Sequence, residues 1–122
     1  MNIWLAVFLG GGFGSVSRYA ITRGILWLGG GSAFPVATLI SNVLASAILA
    51  YSIFHLRSQL EGQDAFKAFI AIGFCGGFST FSTFSYENFL LIREGLHMIA
   101  MLNALISVLA CLLVFFIFAR SL

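Results

Sequence analysis

The chain has 122 residues, of which 61% are hydrophobic and 8% charged, and its formal net charge is +2. Soluble domains carry about a quarter charged residues, and a soluble chain of this size has too little interior to hide so much apolar surface. The composition therefore excludes an ordinary soluble domain and makes the lipid bilayer the natural solvent. No basic cluster suggests a nucleic-acid partner, and no nucleophile, base or nucleotide loop suggests an enzyme.

A membrane span takes about 20 apolar residues, so four spans use most of the chain. The expected fold class is an all-α membrane protein, one domain over residues 1–122, with four transmembrane helices near 3–28, 35–55, 65–92 and 96–118. The first apolar run has no Lys or Arg before it and no small-residue cleavage site after it. It reads as a permanent span rather than a removable signal peptide.

Span one contains Gly10, Gly11, Gly12 and Gly14, followed by Arg18 and Arg23. Gly10 and Gly14 form a G-x-x-x-G pair, which lets helices approach closely. A dinucleotide-binding reading fails, because no strand precedes these glycines. Arg18 has two readings: it snorkels to the interface, or it supplies positive potential at an aqueous vestibule. Gly29 to Ser32 form a turn, and Pro35 is expected to start the second helix.

In span two, Thr38, Asn42 and Ser46 are spaced i, i+4, i+8 and share a face. Asn42 is costly in lipid, because its amide needs partners. Either it bonds another helix, or its NH2 group donates to an anion that is shedding water. Arg57 to Lys67 is the most polar segment and belongs in water.

Span three holds the most informative stretch, Gly73 to Phe84, with three glycines and four small hydroxyl residues in an otherwise apolar run. A break is expected around Gly76 to Thr80. Irregular backbone at membrane depth survives only when buried in protein or lining a wet cavity, and broken helices commonly mark ion or substrate sites. This points to transport. Phe81 and Phe84 share a face; such rings usually pack, but their positive edges can also face an anion. Glu87 follows the break, where it either pairs with an arginine or sits in the opposite mouth.

Span four repeats Asn103, Ser107 and Cys111 at i, i+4, i+8, a weaker stripe. Cys75 and Cys111 read as small buried hydrophobes, and no zinc or redox motif accompanies them or His55 and His97. With four spans both termini share one side. Arg57, Lys67 and Arg120 flank that side, against Arg23, Arg93 and, near the surface, Arg18 on the other. So small a bias gives no strong instruction on orientation, and a chain that inserts both ways can pair with an inverted copy of itself.

Three motifs resemble the Fluc (CrcB-type) fluoride channel family: G-G-F-G-S-V-S-R-Y at Gly11 to Tyr19, F-P-V-A-T-L-I-S-N at Phe34 to Asn42, and G-F-C-G-G-F-S-T-F-S-T-F at Gly73 to Phe84. The similarity runs in order over essentially the whole chain. The resemblance implies a passive fluoride channel of the cell (inner or plasma) membrane that relieves cytoplasmic fluoride toxicity. It implies an antiparallel, dual-topology homodimer in which broken third helices cross and hold one structural Na+ per dimer. By motif position the sodium carbonyls map to Gly76 and Ser79. The fluoride pathway maps to Asn42, Phe81, Phe84, Ser82, Thr83 and Ser107, and the vestibule and electrostatic residues to Arg18 and Glu87. No organic cofactor is implied. The chain departs from the family pattern at Ala37, Ala45, Ala47 and Ser79; the last matters little if the carbonyl is the ligand.

Two other classes stay open on sequence. A small multidrug-type exporter is also a four-span, potentially dual-topology protein, but its proton coupling wants a carboxylate early in the chain, and span one has none. A non-transporting membrane subunit would use the glycines only for packing.

Overall fold

The computed structural model describes residues 1–121, and all of its regular structure is helical. Helix α1 (Ile3–Trp27) starts where Asn2 Oδ1 accepts the Trp4 N–H at 2.7 Å and ends before Gly29, whose φ of +83° suits a residue without Cβ. Helix α2 is Val36–Phe54. Pro35 caps it from outside rather than opening its first turn. The third segment is composite: α3 (Asp64–Lys67), a π-helical stretch Ala68–Phe74, α4 (Cys75–Phe78) and α5 (Phe81–Arg93). Between α4 and α5, Ser79 and Thr80 have extended backbone, with ψ of 159° and 124°. Helix α6 (His97–Arg120) completes the chain.

Among the described residues, three helical segments are long and apolar enough to cross a membrane: Val36–Phe54, Asp64–Arg93 and His97–Arg120. At 25 residues α1 has the length, but Gly10, Gly11, Gly12, Gly14 and Arg18 dilute its apolarity, so the expectation of a first span rests on length alone. Burial runs opposite to that of a soluble bundle. The interior is mostly small and polar residues such as Ala6, Ser41, Ala45, Ala50, Asn103 and Ser107, with Leu60, Phe78 and Leu91 the large apolar exceptions. The surface carries Trp4, Phe8, Phe13, Leu113, Phe116 and many more large apolar side chains. In water this arrangement would be an aggregate; in hydrocarbon it is the expected one, because lipid tails solvate Leu and Phe while small residues let helices close up. The chain is a multi-pass membrane protein.

Helix α1 lies along the π-helical stretch and α4, and α2 lies along α6. The first contact is made by glycines on both sides. A Cβ on Gly10 would fall 2.9 Å from Phe74 N, and one on Gly14 would fall 2.8 Å from Phe78 N. From the other side, a Cβ on Gly73 would meet Val7 O at 2.8 Å, and one on Gly77 would meet Gly11 O at 2.5 Å. Gly73 and Gly77 thus form a second G-x-x-x-G pair that answers the first. Sequence reading assigned Gly76 and Gly77 to the break, but both are helical, and Gly77 is pressed against α1.

Candidate functional site

The extended step at Ser79–Thr80 organises its surroundings through backbone groups that have lost their helical partners. In a continuous helix each N–H donates to the carbonyl four residues earlier, and buried groups deprived of that bond need another partner. Asn42, on the facing side of α2, supplies one. Its Oδ1 accepts the Thr80 N–H at 2.8 Å, and its Nδ2 donates to Thr80 O at a longer 3.4 Å. The carboxamide therefore copies a peptide group and docks α2 onto the step. The inter-helix hydrogen bond considered for Asn42 is present. The second Nδ2 hydrogen is not used by Thr80 and leaves one donor for another acceptor.

Thr80 supplies the next substitution. Its Oγ1 accepts the Thr83 N–H at 3.2 Å, the usual work of an N-cap threonine at the start of α5. Arg18 supplies a third: its Nε donates to Gly77 O at 3.1 Å. Arg18 thus belongs to the step. Ser79 turns its hydroxyl back onto Cys75 O at 2.7 Å, so only its backbone faces outward.

Above the step lies an open cavity of about 390 Å³. Of the residues assigned to an ion path by resemblance, Asn42, Phe81, Phe84 and Ser107 all line it, together with Ser46, Ser79 and Thr80. Phe81 is 79% exposed, and its ring centroid is 5.7 Å from that of Phe84, with the rings tilted by 35°. Cys111 and Phe115 of α6 form the far wall. Ser82 and Thr83 are not among the lining residues. Ser82 stands beside the cap, 3.3 Å from Thr80 Oγ1, and Thr83 is tied into it through its N–H.

The stripes divide between wall and interior. On α2, Asn42 and Ser46 reach the cavity, while Thr38 is buried and faces Glu87. On α6, Ser107 and Cys111 reach it, but Asn103 is only 1% exposed and donates to Asn88 Oδ1 at 2.8 Å. Ser107 in turn donates to Asn103 Oδ1 at 3.1 Å, so its lone pairs, not its proton, face the cavity in this conformation. Glu87 Oε1 is buried and meets no donor among the described residues. Sequence reading missed Thr80 and Asn88. The N-cap preference for Thr ahead of a helical run was the available signal for the first; for the second it was the need of a buried amide for a partner.

Gly76 and Ser79 sit on the two sides of this arrangement. The Thr80 N–H that would occupy Gly76 O goes to Asn42, and the Thr83 N–H that would occupy Ser79 O goes to Thr80. Gly76 is exposed, and nothing lies within 4 Å of where its Cβ would be. Bare carbonyls on an accessible backbone are the donor set that a hard, weakly bound cation such as sodium takes, so these two residues fit the ion assigned to them by resemblance.

The family model described as CrcB-like protein, Camphor Resistance (CrcB), matches residues 5–118. A curated relative from Pyrococcus furiosus, named fluoride-specific ion channel FluC, is 45% identical over 111 residues, covering 91% of this chain and 88% of its own length. Relatives of the same name from Pyrococcus abyssi and Coxiella burnetii are 45% and 39% identical, covering 95% and 92% of this chain and 94% and 90% of their own. A match that reaches into every helix and includes the step between α4 and α5 leaves one conclusion: the chain belongs to the CrcB family.

Proposed function

We propose that this chain is a passive, fluoride-selective channel of the cell membrane that lets fluoride leave the cytoplasm and so relieves its toxicity. The observation that carries the ion's identity is the name fluoride-specific ion channel shared by relatives that match almost end to end. A channel makes and breaks no covalent bond, so the chain is not an enzyme.

The working unit in this reading is an antiparallel, dual-topology homodimer whose third helices are broken mid-membrane at Ser79–Thr80. Three observations support it. The backbone is extended there, and the Gly76 and Ser79 carbonyls lack their helical partners. With Arg18 committed to Gly77 O, the flanking charges stand at Arg57, Lys67 and Arg120 against Arg23 and Arg93, too even to set one orientation. Gly76 and Ser79 of both copies would hold one sodium ion at the centre. A bound sodium would supply fixed positive charge in a low-dielectric setting, where charge acts over a longer range.

Fluoride gives up its water only to strong replacements. The free Nδ2 hydrogen of Asn42, the Ser46 hydroxyl, and a Ser107 hydroxyl turned away from Asn103 are neutral donors at one cavity. Phe81 and Phe84 can offer ring edges, which attract an anion weakly enough to release it. Ser82 and Thr83 act beside the cap in this reading, with Arg18 and Glu87 setting the local field. Outward movement is driven by the membrane potential, worth about 2.3 kcal/mol per charge at 100 mV.

The test is efflux from liposomes containing the purified chain, followed with a fluoride electrode. Fluoride release without a proton gradient is the expected result. Exchange of organic cations for protons would identify an exporter, and no flux of either kind would leave a packing subunit.

A further inference from the structure

The Thr80 and Thr83 amides beside the Ser79–Thr80 step are bonded to side chains, where a continuous helix would pair them with Gly76 O and Ser79 O. The geometry does not come from bulk wedged into the helix. Gly76 has open space around its Cβ position, and Gly76 and Gly77 both keep helical backbone. Ser79 is not the cap of α5: its hydroxyl turns back to donate to Cys75 O at 2.7 Å, and Thr80 stands at the N-cap position. The extended backbone of Ser79 and Thr80 carries Ser79 O away from the first turn of α5, and the Thr80 side chain takes the Thr83 proton at 3.2 Å from the N-cap position.

We propose that Thr80 is a positioning residue for the sodium cage: its hydroxyl occupies the amide that Ser79 O would otherwise accept, while Asn42 occupies the amide that belongs to Gly76 O. The proposal rests on the sodium reading above and adds what keeps the carbonyls bare. Thr80 itself need not touch the ion. An acceptor is required at this position, and the methyl group is not. The same two side chains also line the anion cavity, so cation cage and anion path share their scaffolding. A change that lets the helix reclose at Thr83 should reach the sodium site without adding or removing any charge.

The experiment measures how the thermal stability of the purified full chain in detergent depends on sodium, with N-methylglucamine replacing it at constant ionic strength. Thr80→Val removes the acceptor at nearly constant shape, and Thr80→Ser keeps it. Thr80→Asn offers a different cap of equal strength. Losing one hydrogen bond per copy should raise the half-saturating sodium concentration about tenfold or more in Thr80→Val. Thr80→Ser and Thr80→Asn should stay within about threefold of the parent. An unchanged midpoint in Thr80→Val overturns the inference and leaves the cage standing. Equal losses in Thr80→Val and Thr80→Ser overturn it in favour of methyl packing. If Thr80→Val does not fold, Thr80→Asn decides, because a tenfold loss there contradicts the need for a cap acceptor alone. A parent chain with no sodium dependence overturns the cage, and the inference falls with it. A structure of Thr80→Val in which Thr83 N–H still avoids Ser79 O would also overturn it.

Discussion

The third helical segment leaves the α-helix twice, and the two departures have different causes. Over Ala68–Phe74 the backbone widens to a π-helix but remains bonded to itself, as where Cys75 N–H donates to Ile70 O, five residues back. At Ser79–Thr80 the bonds pass instead to Asn42, Thr80 and Arg18. The first departure leaves its carbonyls within the helical ladder and lies against the glycine face of α1. The second strips carbonyls of their helical partners and opens onto a cavity. An irregular helix is thus no pointer to function by itself. What matters is whether the displaced hydrogen bonds are retaken within the helix or handed to other side chains.

The comparison breaks most severely at the glycine face. Gly14→Leu would drive a side chain into Phe78 N, which lies 2.8 Å from where even a Cβ would sit. Overpacking of this kind costs about 3 kcal/mol or more. The expected outcome is loss of folded protein, read as collapse of the size-exclusion peak and of the melting transition. A well-folded Gly14→Leu would mean that α1 does not touch α4 as described. At the step, Asn42→Asp keeps an oxygen for the Thr80 N–H but replaces the amide hydrogens, one bonded to Thr80 O and one free, with negative charge. Fluoride efflux should fall by about two orders of magnitude, in line with a barrier increase of about 3 kcal/mol, while the size-exclusion peak remains. Normal efflux would show that Asn42 serves only to dock α2 on Thr80. Phe81→Ile should cost less, about tenfold in flux, since a ring edge contributes of the order of 1 kcal/mol. Unchanged flux would assign Phe81 to packing.

Much of this was legible in the sequence because membrane solvation is a severe constraint. Helices α2 and α6 fall on the apolar runs near 35–55 and 96–118, and Gly10 and Gly14 announced a close helix contact. Asn42 stood out because an amide in lipid must find a partner, and its stripe placed it and Ser46 on one wall. The causes of the two departures were not legible. The run from Ala68 to Phe74 has no residue that demands a π-helix; it lies along α1, a contact that no local pattern records. The glycines before Ser79 drew attention to themselves and were read as the break, while Gly73 and Gly77 in fact hold α1. The step begins one residue after Phe78, where Thr80 can cap helix α5. The spacing of Asn103 with Ser107 left both a wall and an interior place open for it, and its bond to Asn88 holds it in the interior. A stripe fixes a helix face; it does not fix which members of that face a neighbouring helix will claim.

The smallest expected effect sharpens the reading of the glycines. Gly12 stands among the glycines of α1 but has nothing within 4 Å of its Cβ position, unlike Gly10 and Gly14 on the packed face. If close approach is the reason for glycine on that face, Gly12 has no such reason. Gly12→Ala should then behave as an exposed mid-helix substitution and raise stability by up to about 1 kcal/mol, because alanine loses less backbone freedom on folding. A melting temperature a few degrees higher, with flux unchanged, is the expected result. A drop in stability would mean that Gly12 meets a surface the single chain lacks. The glycine cluster of α1 would then have two packed faces, one toward α4 and one toward a second copy.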